Sequence, residues 1–167
     1  MNHRETVTAI RDIVIEQYFD APPSLVFKNW IDPDLVSRWF AADTFKVTAA
    51  TLDVRPGGAW RVDFRRDSGW TYFEFGTFQE IVPPSRLVFT LTHQHGENKG
   101  PETLITVSFA QEGKSTLMTF RQSGFDDAAR RDANAEGWGE CIRKLSESLA
   151  EQEIEREAGK EAFDPQP

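Results

Sequence analysis

Residues 123–152, SGFDDAARRDANAEGWGECIRKLSESLAEQ, read as one long amphipathic helix. Asp126 suits the N-cap, where a short side-chain oxygen takes up a free backbone N–H, and Asp127 adds negative charge to the first turn. Trp138, Cys141, Ile142, Leu145 and Leu149 recur at steps of three and four, which sets them on one apolar stripe. Arg130, Arg131, Glu136, Glu140, Arg143, Lys144 and Glu147 fill much of the remaining surface. Gly137 and Gly139 flank the tryptophan, and a glycine inside a helix costs about 1 kcal/mol against alanine. Two such costs beside the largest side chain imply close approach by another element. Tight packing on a sheet would do this, as would a tryptophan at the edge of a cavity; packing is the commoner origin of an apolar stripe.

The chain before this helix supplies a sheet for the stripe to cover. Residues 9–19, AIRDIVIEQYF, alternate with Ile13, Ile15, Gln17 and Phe19 on one face, as a first strand does. Asp20-Ala-Pro-Pro-Ser24 ends it and opens a short helix whose inner face is Val26, Phe27 and Trp30. Asp32-Pro33 is a second start signal, an N-cap followed by proline at the first helical position, for a helix over 33–40. Strand signals then dominate: 45–54, 59–66, 70–82, 86–93, 103–109 and 116–122. Pro56-Gly57 suits a type II turn, and Arg86 to His93 is apolar on both faces, as a central strand is. The loop from His95 to Pro101 is the expected flexible segment. Strands joined by short turns pair antiparallel, so the expected fold is α+β. It has a curved antiparallel sheet of about seven strands, two short helices after the first strand, and a long C-terminal helix across the sheet. Residues 1–9 read as a loose leader, and the charged stretch from about Glu153 as a fraying tail. That leaves one domain over 1–167 with an ordered core of about 10–152.

Composition narrows the function. Nineteen basic against 27 acidic residues give a net charge of −8 with no basic cluster, which argues against a nucleic-acid partner. The single cysteine, Cys141, excludes an internal disulfide and fits a reducing compartment. No apolar run approaches the roughly 18 residues of a membrane span, and the polar start is unlike a signal peptide. A cytoplasmic protein is the expectation. Thirteen Phe, five Trp and two Tyr are many for 167 residues, and imply either a very full core or a cavity walled with rings.

Four stretches carry a family resemblance: FDAPPSLVFKNWIDPDLVSRWF at 19–40, LDVRPGGAWRVDF at 52–64, FGTFQEIVPPSRLVFTLT at 75–92, and 103–149 with its GW at the helix face. With the element order, they resemble the START-like (SRPBCC) superfamily and its helix-grip fold. More narrowly, they resemble the family named after the activator of the heat-shock protein 90 ATPase. Leu91 stands where members often carry tryptophan, and Gln122 where histidine is common. The resemblance implies a deep cavity between sheet and helix that often takes a hydrophobic small molecule, and implies no catalytic constellation. Fold alone does not choose among carriers, receptors and cyclases.

The residues agree in offering few reacting groups. No nucleotide-binding loop and no GxSxG nucleophile setting occurs. His93 and His95 could share one side of a strand end, but only the distant His3 is left to complete a metal site, so no metal or other cofactor is expected. Cys141, on the apolar stripe, reads as an inert small group. The candidate ligand-binding residues are Trp39, Trp60, Phe73, Phe75, Leu91, His93, Met118, Phe120, Gln122 and Trp138, with His93 and Gln122 as the polar groups that would orient a ligand. Each is also an ordinary core residue in the plainer reading. The strand around Phe73 is ambiguous, because both of its faces carry rings. Were Glu74 the inward residue, a buried carboxylate of raised pKa could serve as a general base.

Three functions follow. The first is a binding module for a small hydrophobic or aromatic molecule, without defined catalysis. The second is an enzyme of the polyketide cyclase or hydrolase kind, using Glu74, His93 or Gln122. The third is a stimulator of a chaperone ATPase, which ranks last because no added docking module is read in the chain. An exposed strand edge leaves room for a homodimer.

Overall fold

The computed structural model describes residues 10–162; the expected leader over 1–9, with His3, lies outside them. The elements run β1 (Ile13–Phe19), α1 (Pro23–Ile31), α2 (Pro33–Trp39), β2 (Lys46–Leu52), β3 (Ala59–Arg65), β4 (Thr71–Val82), β5 (Arg86–His95), β6 (Asn98–Lys99), β7 (Thr103–Glu112), β8 (Ser115–Ser123) and α3 (Ala128–Ala162). The sheet order is β1-β8-β7-β5-β4-β3-β2, with β6 paired to β5 and every pairing antiparallel. β1 and β2 therefore sit at opposite edges, and α1 with α2 carries the chain between them. β5 is central, and Leu87, Val88, Phe89 and Leu91 are buried on its two faces, as its unbroken apolar run requires. This is the helix-grip arrangement: an antiparallel sheet with one long helix against it.

Local chemistry fixes the joints. The Asp32 carboxylate accepts from the backbone N–H groups of Asp34 and Leu35, and Pro33 occupies the first turn of α2. Gly57 takes φ +81°, and the Gly58 N–H donates to the Arg55 carbonyl at 2.8 Å, closing the turn between β2 and β3.

Three boundaries differ from expectation. The α3 N-cap is Asp127, whose carboxylate accepts from the Arg130 N–H at 2.9 Å, one residue later than Asp126. The helix also continues past Gln152 to Ala162. EIEREAGKEA at 153–162 is rich in good helix formers, and Gln152 is anchored by exchanging amide hydrogen bonds with buried Asn29 at 2.9 and 3.2 Å. Third, the loop over 95–101 is not wholly irregular, since Asn98 and Lys99 pair back on β5 as β6.

The stripe of α3 is buried along Trp138, Cys141, Ile142, Leu145 and Leu149. A buried chain of hydrogen bonds ties it to the sheet. Trp138 Nε1–H donates to Gln122 Oε1 at 2.9 Å, Gln122 Nε2–H donates to Thr103 Oγ1 at 2.9 Å, and Thr103 Oγ1–H donates to the Leu91 carbonyl at 2.8 Å. Rings fill the space around it. Trp30 stacks on Trp138 and Phe120 at centroid distances of 6.1 and 6.2 Å and meets Trp39 edge-on at 4.6 Å. Gln122 is thus spent inside the protein, joining α3, β8, β7 and β5. Gln122→Met keeps the volume but strands the Trp138 and Thr103 donor and acceptor. Each stranded group costs about 1–3 kcal/mol, so urea unfolding of this variant is expected to show a loss of about 2–4 kcal/mol.

Candidate functional site

Rings fill the Trp30 end of the interior, while the other end is open. In β3 and β4, Phe64 lies opposite Tyr72 and Val62 opposite Glu74; directly opposed residues share a face. Because Val62 and Phe64 are buried, Tyr72 and Glu74 are drawn to the inner face with them. On β5, His93 lies opposite Glu74 and stacks on Tyr72 at 4.5 Å, and Tyr72 stacks on Phe64 at 4.4 Å. The result is a ladder of three rings across three strands. Phe45 meets Tyr72 edge-on at 4.8 Å, and Trp70 extends the rim to His95 at 4.2 Å. Facing the ladder are Phe40, Trp138, Gly137 and Cys141, and the space between is a cleft of about 340 Å³.

The 40–45 segment at one side of the mouth is held by α3. Lys144 Nζ donates to the carbonyls of Ala41 and Ala42 at 2.8 and 3.2 Å, at the C-terminal end of α2 where a cation is favoured. Arg143 pairs with Asp43 beside it.

Of the residues proposed from sequence, His93 and Trp138 line this cleft. Phe73 and Phe75 do not. They are opposite Asp63 and Arg61 on the outer face, where the Arg61 guanidinium lies 3.8 Å from the Phe73 centroid and Lys99 Nζ 5.3 Å from that of Phe75. Trp39 and Trp60 are buried, their indole N–H groups donating to the carbonyls of Asn29 at 3.0 Å and Thr90 at 2.9 Å. Leu91, Met118 and Phe120 are core, and Gln122 belongs to the internal hydrogen-bond chain. Phe45, Phe64, Arg66, Trp70 and Tyr72 went unnamed. For Tyr72 and Glu74 the signal is the alternation of Trp60, Val62 and Phe64, which selects them over Phe73 and Phe75 once the β3–β4 register is known.

Gly137 and Gly139 are not sites of close packing. A Cβ added at either would meet nothing within 4 Å. Gly137 borders the cleft, and Gly139 borders a groove beside Ile15 and Gln17. Their missing side chains leave room around Trp138 where a tight contact was expected.

The charged side chains on the cleft wall are Glu74 and, at the rim, Arg66. The Glu74 side chain is 13% exposed, and its ion-pair partner among the described residues is His93 Nδ1 at 3.9 Å. Burial, and then the Glu74 charge, push the Cys141 thiol up to about 12, so the thiol stays protonated and is a poor nucleophile. The same two causes, in the same order, raise the Tyr72 hydroxyl. Among the described residues no three His, Cys, Asp or Glu side chains are grouped to hold a metal, and no helix is long and apolar enough to cross a membrane. Gly137→Ala should gain helix propensity without a clash. Thermal unfolding is expected to show stabilisation of about 0.5–1 kcal/mol.

A family model described as "Activator of Hsp90 ATPase homolog 1-like protein" matches residues 20–150. Solved structures agree on the fold. The AHSA1 protein of Silicibacter pomeroyi superposes with TM-score 0.76 at 21% identity, over 85% of this chain and 99% of that one. A Nitrosomonas europaea protein gives 0.74 at 21% identity, over 89% and 99%. One from Rhizobium leguminosarum gives 0.69 at 26% identity, over 84% and 95%. Comparison with curated proteins finds no match. With the family model covering most of its length, the chain belongs to the Activator of Hsp90 ATPase homolog 1-like family, within the START-like (SRPBCC) superfamily.

Proposed function

We propose that the protein binds a small, largely aromatic molecule in the cleft between the ring ladder and Trp138. The observation that carries this reading is the open volume of about 340 Å³ bounded by Phe64, Tyr72 and His93 on one side and by Phe40 and Trp138 on the other. Ligand sites are commonly concave spaces of about 300–1,000 Å³, mostly apolar, with a few polar groups that fix orientation. Tyr72 has both faces covered by Phe64 and His93, so the ladder turns ring edges toward the cleft, and a flat ligand can lay its own face against those edges. Glu74, His93 and Asn134 supply the polar contacts.

The neutral dye N-phenyl-1-naphthylamine is expected to bind one per chain and brighten on entry. Gly137→Phe places a ring in the empty space beside Trp138 and should weaken dye binding at least tenfold, with thermal unfolding showing that the variant is folded. A dye titration that Gly137→Phe leaves unchanged would remove this cleft as the site.

A second reading, proton transfer on a bound substrate, has one specific observation behind it: Glu74 faces the cleft with His93 at 3.9 Å. A carboxylate and an imidazole converging on one space are a usual acid–base pair. If this reading holds, turnover of an aromatic polyketide mimic should fall by about 10²–10⁴-fold in Glu74→Gln, with its pH dependence lost. Equal rates in the two proteins would end it.

A further inference from the structure

We infer that the occupant of this cleft is an aromatic amine, a flat ring carrying one protonated nitrogen seated against Glu74. The inference rests on reading the cleft as a binding site, and adds the charge that its occupant brings. Glu74 is the starting point. Its carboxylate is enclosed among rings, and its single ion-pair partner among the described residues stands at 3.9 Å, beyond hydrogen-bond reach. That partner, His93, is 44% exposed and stacks on Tyr72 at 4.5 Å. Glu74 is partly buried and its oxygens stay open to the cleft, where no protein group among the described residues donates a hydrogen bond to them and a ligand ammonium could.

The surrounding rings point the same way. The faces of Phe45 and Trp70 at the rim are electron-rich and attract a cation. The rim already shows the effect with one of the protein's own side chains. The Arg66 guanidinium lies 5.2 Å from the centroids of both Phe45 and Trp70, and no carboxylate among the described residues pairs with it. A ligand nitrogen bearing one positive charge would find Glu74 as its counter-ion deeper in the cleft. Arg66 at the mouth sets a limit on that charge, since a polycation reaching out of the cleft would meet it.

A matched indole series tests the inference by calorimetric titration at neutral pH: 3-methylindole as the neutral ring, tryptamine as the cation and indole-3-acetate as the anion. Tryptamine is expected to bind at least about tenfold more tightly than 3-methylindole, and indole-3-acetate most weakly. Glu74→Gln should erase the preference for the amine, so that tryptamine and 3-methylindole bind that variant within about twofold of each other. Should that variant fail to fold, Glu74→Asp draws the carboxylate back by one methylene and should shrink the preference instead. Equal binding of tryptamine and 3-methylindole, or an amine preference that survives Glu74→Gln, would overturn the inference and leave the cleft as a site for neutral rings. Failure of all three indoles would also overturn it, and the dye titration then decides separately whether the cleft binds at all.

Discussion

The hydrogen-bond chain from the Trp138 indole through Gln122 and Thr103 to the Leu91 carbonyl sets how far the long helix stands from the sheet. A helix laid on a sheet through leucines alone could slide and rock, because apolar contact is not directional. One indole N–H with one amide acceptor removes that freedom, since any shift strands buried polar groups. Trp30 then fills the gap thus defined, stacking on Trp138 and Phe120 while meeting Trp39. Its reach ends there. Beyond Trp138 toward the β3–β5 end, the helix presents Gly137 and the strands present the ladder, and nothing from either side crosses the gap.

The architecture was legible because its signals are long and repeated: a stripe of period 3.6, strands of period two and an Asp-Pro helix start. The cleft was less legible for a particular reason. Trp138 and His93 could be named because one flanks glycines on the stripe and the other shares parity with Leu91. Phe73 and Phe75 misled because a strand with rings on both faces gives no inward signal of its own, and the answer sits in its register with β3. Outer-face phenylalanines are tolerated there by covering them with the Arg61 and Lys99 side chains, a pairing between strands that no local window contains. Gln122 misled in the opposite way. Its burial was legible, but its partners lie on α3 and β7, so nothing local distinguished a ligand contact from an internal tie.

Gly137 and Glu74 share a physical character. Each gives up stability that a simple change would recover: alanine at Gly137 for the helix, and glutamine or an apolar group at Glu74 for desolvation. Local choices that oppose the stability of the fold collect at functional sites, where the missing contact is completed by something else. Here both lie on the walls of the same cleft, one on the helix side and one on the sheet side.

The helix grip and the cleft share Trp138 but otherwise use largely separate residues. Trp30, Asn29, Thr103, Gln122 and Leu145 hold α3 without entering the cleft, whereas Phe45, Arg66, Trp70, Tyr72 and Glu74 form much of its sheet-side wall and rim without touching the hydrogen-bond chain. Trp138 and His93 border both regions: the indole nitrogen of Trp138 points into the hydrogen-bond chain, while its ring and the His93 ring wall the cleft. Substitutions along the 66–74 hairpin can therefore alter the size and charge of the cleft while the support behind it stays in place. Relatives at 21–26% identity keep the fold over most of their length. Leu91 and Gln122 lie on the support side of that division. Their exchange bears first on how the helix is held and only through Trp138 on what the cleft accepts.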